Sequence, residues 1–454
     1  MNLEKLDWRI VLTLATVAML VQQAFSYVCQ MALPILADRV ADEFGISRAW
    51  LGLYLSIQNL TAIVAAMSCG GFIIRFGAMR GSQVCLILMG GSLFVIASGF
   101  VWLYPIGAIL LGAGAVSTPA SSHILARFCP RHLAPVIFSV KQTGVPVGSL
   151  IGGLMIPALL GVGFYVAVLG TSVHLGAFGT AFVTGLIVYS VAVALQPFRS
   201  YFDNDRKPDE KLTVSGVSDT LKLVASTPKL RDLSFGAFAF GGLQSIFSGF
   251  FILYLIDGLA FSEKDAGVLF AIASFSAVAA RILWGWIGST ILPARVVLGL
   301  IGAFGALAAI MTGFYESSWS HGAILAVAVL YNVTGLSWHG LLLSEIAALA
   351  PEGRVGGVTG TVLSFTSVAM MTYPAIYGGI LAATDSYSLG FLFAAMPSAL
   401  AAVIFFCPPV QDTWLRIVRA VLVWGTRPAR LLYAAIILLA GTTLGAVLAL
   451  NALY

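Results

Sequence analysis

Apolar runs of about twenty residues recur along the whole chain, separated by short polar stretches, and each is long enough to cross a bilayer as a helix. They fall at roughly 10–35, 50–74, 81–101, 104–126, 136–158, 174–196, 233–256, 265–288, 296–315, 321–348, 356–381 and 387–407. A thirteenth follows at roughly 431–452. Before it, Gln411–Thr426 sets Trp414, Ile417, Val418 and Leu422 against Arg416 and Arg419, the pattern of a helix lying on a membrane surface. One polar interval is long. Residues 197–232 read as a linker with a weakly amphipathic helix near Ser218–Ser226 and no apolar core of their own. The pattern predicts an all-α polytopic membrane protein: a six-helix half over 1–196, the linker 197–232, a second six-helix half over 233–408, and the tail 409–454.

Composition agrees. Hydrophobic residues make up 59% and charged residues 9%, with a mean hydropathy of +0.97. A soluble domain carries about 25% charge, so this chain cannot cover itself with a polar surface. The net charge of +5 is no sign of nucleic acid, because the basic residues sit in loops and set orientation. With the N-terminus inside, only Arg39, Arg48 and Lys264 fall in outside loops, and Lys141 and Arg281 fall within spans. Every other lysine and arginine is then inside, which predicts a multi-pass protein of the inner cell membrane with a cytoplasmic N-terminus. The first span is too long for a signal-peptide core and reads as retained. Cys29, Cys69, Cys85, Cys129 and Cys407 show no paired spacing, so neither a disulfide framework nor a metal site is expected. No cofactor motif appears.

The charges inside the spans carry the chemistry. In Phe138–Gly153, Lys141 stands beside Gly144, Gly148 and Gly152, whose spacing of four puts them on one helical face. Lys141 lies about 8 Å inside the near end of its helix. A cation there is a functional site by default, and the competing reading is a lysine that snorkels to the interface. Span eight carries a similar stripe of Gly267, Ala271, Ser274 and Ala277, continued by Arg281 and Gly285. Glu345 is the one carboxylate that falls within a span, with two readings: an ion pair with Arg281, or a proton site for coupling.

The two halves also repeat. Gly70-Gly71-Phe72-Ile73-Ile74-Arg75-Phe76-Gly77-Ala78-Met79-Arg80 follows span two, and a related stretch from Gly285 to Arg295 follows span eight. Cys129-Pro130-Arg131 ahead of span five mirrors Pro351 to Arg354 ahead of span eleven. Two six-helix halves joined by a charged linker, with this loop, resemble the major facilitator superfamily of secondary transporters. The family's loop reads Gly-x-x-x-Asp-Arg-x-Gly-x-x-Arg/Lys. Gly70, Arg75, Gly77 and Arg80 match it, while Ile74 replaces the aspartate; Ser289 and Thr290 stand at the Asp-Arg positions of the second copy. The resemblance implies repeats around a midplane cavity that opens to alternate sides. It places spans one, four, seven and ten at the cavity and spans five and eight across the interface between halves.

On that reading Lys141 and Arg281 need an anion between them, and a small organic anion is the expected solute, moved with a proton or against a counter-anion. Gln22, Gln23 and Tyr27 in span one, Gln58 and Asn59 in span two, Gln244 in span seven, and Asn332, Trp338 and His339 in span ten are candidates for a polar lining; each alone also fits an interhelical hydrogen bond. His123, near the inside loop, reads as a loop contact, and Tyr373 and Tyr377 as gating or packing residues. Efflux of lipophilic or cationic compounds is the alternative within the fold, although such a carrier would place an acid in its cavity. A non-transporting sensor is the alternative outside it, and the linker is too short and polar for a sensor domain. A membrane enzyme would need paired acids, a metal cluster or a nucleophile with its base, and none is present.

Overall fold

A computed structural model describes residues 7–44, 50–162, 165–168, 171–174, 176–210, 214–316 and 318–407. The surface helix and thirteenth span expected within 409–454 lie outside the described residues. Twelve helical spans run Trp8–Leu36, Leu53–Phe76, Ala78–Ala97, Val101–Phe128, Arg131–Val162, Gly176–Phe202, Pro228–Gly258, Lys264–Thr290, Ala294–Gly313, His321–Leu349, Val355–Thr384 and Tyr387–Phe406. They match the apolar runs in order and nearly in length. A helix is the form in which such a run satisfies its backbone without water. Large apolar side chains such as Leu154, Val193 and Phe275 stay more than half exposed, as side chains that face lipid do. Among the described residues one pair of segments is extended rather than helical. Tyr165–Val168 and Thr171–His174 pair as an antiparallel two-stranded ribbon between spans five and six, in the uncharged stretch that hydropathy divides least clearly.

The helices are not all continuous. Span four comprises Tyr104–Ala113 and Ser117–Phe128 around a 3₁₀ turn at Gly114–Val116. Span five breaks between Ala134–Gln142 and Gly144–Val162, and span ten between His321–Gly335 and His339–Leu349. Such breaks in a membrane helix free backbone polar groups, so they persist only where protein partners or a polar cavity take those groups up.

Contacts divide the chain into two compact units, Met1–Lys222 with Leu343–Val368, and Leu223–Leu342 with Ala369–Tyr454. In the first unit the glycine face of span five lies on span one. A Cβ on Gly144 would come within 2.7 Å of the Leu20 carbonyl oxygen, and one on Gly148 would overlap that of Ala24. The small-residue spacing thus sets how closely these two helices approach. In the second unit an aromatic core joins spans seven to twelve: Phe247 stacks on Phe251 at 4.4 Å, and Phe250 on Tyr377 at 4.0 Å.

At the basic end of the first unit the linker folds back as a strap. The Asp203 carboxylate accepts from the backbone N–H groups of Met79 (2.7 Å) and Arg80 (3.1 Å), capping the start of span three. Lys207 N donates to the Ile74 carbonyl at 2.8 Å. Gly77 adopts φ +96° at this turn, and a Cβ there would run into the Asp203 side chain. So the loop that lacks its own aspartate receives one from the linker. The second unit answers the same need differently: Arg295 Nη2 donates to Asp232 Oδ2 at 2.6 Å and to the Ile404 carbonyl at 2.9 Å.

Burial raises the affinity of Asp203 for its proton, against the pull of the Met79 and Arg80 N–H groups and of Arg199. A carboxyl raised in the fold contributes stability that is complete below its unfolded value, about 3.9, and is lost as pH rises through the folded one. Asp203→Ala is expected to lower the apparent melting temperature at neutral pH by the equivalent of about 0.5–2 kcal/mol, the usual worth of an N-cap. Asp203→Asn keeps one acceptor without a buried charge and should lose less. Thermal unfolding of the purified protein measures both; equal stability of Asp203→Ala and wild type would remove the cap from the account.

Candidate functional site

The site is built from residues that the breaks bring together. Gln23, in the middle of span one, turns its side-chain oxygen toward spans four and five. That oxygen accepts from Lys141 Nζ at 2.7 Å and from Thr118 Oγ1 at 3.0 Å. Thr118 follows the 3₁₀ turn of span four, and Lys141 precedes the break of span five. Three spans therefore meet at one amide oxygen. Lys141 is 1% exposed, so it does not snorkel to the interface within its unit. An ammonium has three N–H donors, and Gln23 Oε1 is its one hydrogen-bond partner among the described residues. No carboxylate lies within ion-pair distance of it there. Gln22, one residue earlier on span one, is fully buried; its Nε2 donates to Ser26 Oγ at 3.1 Å and its Oε1 has no partner.

In the second unit Arg281 of span eight is 3% exposed and reaches the break of span ten. Its Nε (3.1 Å) and Nη2 (2.9 Å) both donate to the Leu336 carbonyl. Ser337 Oγ donates to the Ala277 carbonyl at 3.3 Å, and Trp284 Nε1 to that of Val333 at 2.6 Å. Span eight thus takes up the backbone groups that the break sets free. Trp338 is fully buried, stacks on His339 at 3.7 Å between centroids, and leaves Nε1 without a partner. Gln244 on span seven is half-buried with Oε1 shielded and unpartnered, as are Asn332 Oδ1 and Tyr373 Oη. Indole and phenol donors thus lie in the same unit as amide acceptors. Tyr377 instead donates to the Tyr387 carbonyl at 2.8 Å and packs.

Arg281 belongs to the second unit and Glu345 to the first. Glu345 is half-buried on the helix His339–Leu349. Of the loop motif, Gly70 meets Gly357 of span eleven so closely that a Cβ would stand 3.0 Å from its Cα. Arg75 Nη1 reaches the Glu210 carbonyl at 3.4 Å, and Arg80 offers its backbone N–H to Asp203. His123 contacts the strap, as its position near the loop suggests: Nε2 lies 3.0 Å from Asp205 Oδ2, and Arg127 Nη1 lies 2.7 Å from Oδ1. Burial tends to raise the Asp205 carboxyl, but the His123 hydrogen bond and the His123 and Arg127 charges hold it below the usual range.

Thr118, Asp203 and Asp205 were not legible as site residues, since only the fold carries the linker back to the loops. A cleft of about 510 Å³ opens elsewhere in the first unit, beside Cys69, Gly70, Val84, Asp219 and Arg354. It contains none of the buried polar residues of spans one and five.

Three kinds of similarity bear on this geometry. Residues 17–347 match the family described as Major Facilitator Superfamily. A probable nitrate/nitrite transporter of Mycobacterium tuberculosis (strain H37Rv) is 28% identical over 226 residues, 49% of this chain and 54% of that protein. The chain thus spans about half the length of that relative. A hexuronate transporter of Bacillus subtilis (strain 168) is 23% identical over 414 residues, 85% of this chain and 92% of its own length. Among solved structures, an outward-facing bacterial homologue of the iron transporter ferroportin superposes with a TM-score of 0.67 at 13% identity, covering 86% of this chain and 98% of that one. The E. coli fucose:proton symporter gives 0.65 at 14% identity, covering 88% and 99%. At these identities the structures speak for the fold.

Removing the guanidinium in Arg281→Met should leave the Leu336 carbonyl without these donors and lower stability by about 1–3 kcal/mol, the cost of a buried unmet acceptor. Arg281→Lys should recover part of it. The check is the apparent melting temperature in detergent; an unchanged value for Arg281→Met would mean that the break needs no pinning from span eight.

Proposed function

We propose that the solute carried by this protein is a small anion; the chain belongs to the major facilitator superfamily and is a secondary transporter, not an enzyme. One observation carries the proposal. Lys141 is buried in its unit with a single neutral acceptor and no carboxylate within reach among the described residues. Cations at the centre of a span cost about 2.5–3.5 kcal/mol on insertion scales, and a bound anion would offset that cost best. Two relatives support the same sign of charge, one named for nitrate and nitrite and the other for hexuronates. Arg281 is the second candidate cation. Gln22, Gln244, Trp338 and His339 are candidates to orient the solute through amide, indole and imidazole groups. The excess of basic residues in one set of loops supports a cytoplasmic N-terminus and linker in a bacterial inner membrane.

Transport follows from differential binding. A ligand shifts the balance of two conformations only by binding one more tightly, and an anion that completes the charge at Lys141 favours the state in which that group is enclosed. Alternating access then carries the enclosed anion across.

The test is uptake of labelled nitrate and labelled glucuronate into proteoliposomes with matched amounts of protein. Lys141→Ala is expected to lose anion uptake while reaching the membrane folded. Lys141→Arg should restore little, because a planar guanidinium does not fit where Gln23 and the glycine face enclose an ammonium. Full activity of Lys141→Ala would reduce this lysine to a structural strut and remove the main support for an anionic solute.

A further inference from the structure

Spans eleven and twelve meet in a short hairpin at Asp385 and Ser386. Beside it, Ile376, Gly379 and Ala383 of span eleven and Leu389, Phe393 and Met396 of span twelve line an open groove of about 550 Å³. Every residue of that wall belongs to the second unit. The two triplets recur at three and four residues, so each is one face of its helix. Thr384, also in the wall, turns its hydroxyl back to the Ile380 carbonyl at 2.7 Å, which leaves an apolar surface. Exposed apolar side chains are ordinary on a membrane helix. A hollow with small residues in its wall calls for an occupant: Gly379 and Ala383 are exposed, and a Cβ on Gly379 would meet nothing within 4 Å. Glycine weakens a helix, and on its surface it lets another backbone come close.

The chain itself supplies one. The described residues end at Cys407, just past the end of span twelve remote from the hairpin. Beyond it the sequence holds the surface stretch Gln411–Thr426 and the apolar run 431–452. A helix that crosses after span twelve runs parallel to span eleven, whichever side the N-terminus occupies. Within the run, Gly441, Gly445 and Ala449 recur every fourth residue and share one face. Gly379 and Ala383 lie about 7.5 and 1.5 Å before the end of span eleven at Thr384. Counted back from 452, Gly445 and Ala449 lie about 10.5 and 4.5 Å before the end of the run. The two small-residue pairs therefore fall at the same depth to within one helical turn. As a helix the surface stretch spans about 24 Å, enough to pass a neighbouring helix whose axis lies about 8–10 Å away. Tethering raises the local concentration of this segment above that of a second copy. Acyl chains fit apolar surface of any shape and need no small-residue face.

We propose that residues 431–452 form a thirteenth membrane helix seated in this groove, with Gly445 and Ala449 packed on Gly379 and Ala383. The helix covers Ile376 and Met396, whose side chains are exposed among the described residues. All of its partners lie in the second unit, so the seat does not depend on the charge of the solute.

The test uses the full chain with its five native cysteines replaced by alanine. Ala383→Cys is paired with Ala449→Cys, and in a second protein with Val447→Cys, which the helical period turns to the opposite face. On mild oxidation in native membranes the first pair is expected to link within one chain and the second to stay open. A link between two chains would give the groove to a second copy and overturn the proposal. No link, or equal linking from Val447→Cys, overturns it too and leaves the groove to lipid. Packing is read separately in the chain with its native cysteines. A Cβ at position 379 meets no described neighbour, so any loss in Gly379→Leu reports on the occupant. Gly379→Leu and Gly445→Leu should each lower the apparent melting temperature. The double variant should fall no further than the lower single one, because both open the same contact. Additive losses, or an unchanged value for Gly445→Leu, overturn the seat even if the cysteine-free chain fails to fold. A reporter fused at Tyr454 should lie across the membrane from one inserted in the linker 197–232; the same side for both overturns the crossing.

Discussion

The first unit depends on a lysine ammonium held out of water by a neutral oxygen. Gln23 Oε1 takes one proton donor from span five and another from span four, so its position fixes three helices at once. Among the described residues no ion pair returns the cost of burying that charge, and the surrounding backbone is shaped to bear it. Gly144 and Gly148 let span five come against span one closely enough for Lys141 to reach Gln23. The 3₁₀ turn at Gly114–Val116 and the break at Thr143 set Thr118 and Lys141 at the ends of short helices rather than inside long ones. Charge, glycine spacing and helix breaks are three aspects of one arrangement.

The linker extends that arrangement to the surface. Hydropathy alone treats Asp203, Asn204 and Asp205 as solvated polar residues in a connection. In the fold they close the basic end: Asp203 caps span three, Asn204 Oδ1 accepts from Arg127 Nη2 at 2.7 Å, and Asp205 joins Arg127 to His123. The two aspartates respond oppositely to pH. Asp203, 4% exposed, is dominated by burial and holds its proton more tightly, whereas at Asp205 the His123 hydrogen bond and the Arg127 guanidinium outweigh burial. Acid therefore loosens the Asp205 bridge as pH falls through its depressed value, and the strain of a buried carboxylate at Asp203 grows as pH rises. The second unit needs no strap, because Asp232 of span seven reaches Arg295 directly.

How much of this was legible in the sequence follows from the range of each signal. A span is a local property, and all twelve were visible as apolar runs whose ends the helices reproduce within a few residues. Lys141 and its glycine face were visible for the same reason, since spacing on a single helix needs no partner. The partner was not: Gln23 stands 118 positions away, and several glutamines had equal claims. The break of span ten was hidden because Leu336, Ser337 and Trp338 are as apolar on average as their neighbours; only the bonds from Arg281 and Trp284 reveal where backbone groups are free. The pairing of Tyr165–Val168 with Thr171–His174 was missed because hydropathy measures apolar content and says nothing of the period that separates strand from helix.

The two buried cations looked equivalent along the chain, each single on a small-residue face. In the fold they differ in what they have left to give. Arg281 directs two of its donors at the Leu336 carbonyl, and removing both would expose a helix end that the membrane cannot hydrate. Lys141 spends one donor on Gln23, and that oxygen is shared with Thr118, which can hold Gln23 in place alone. On the proposed anion reading, the ammonium could be recruited without undoing a helix terminus. Recruiting the guanidinium would mean rebuilding the break in span ten. That asymmetry leaves Lys141 the more adaptable of the two cations, and it ties any movement at Arg281 to a change in the shape of span ten.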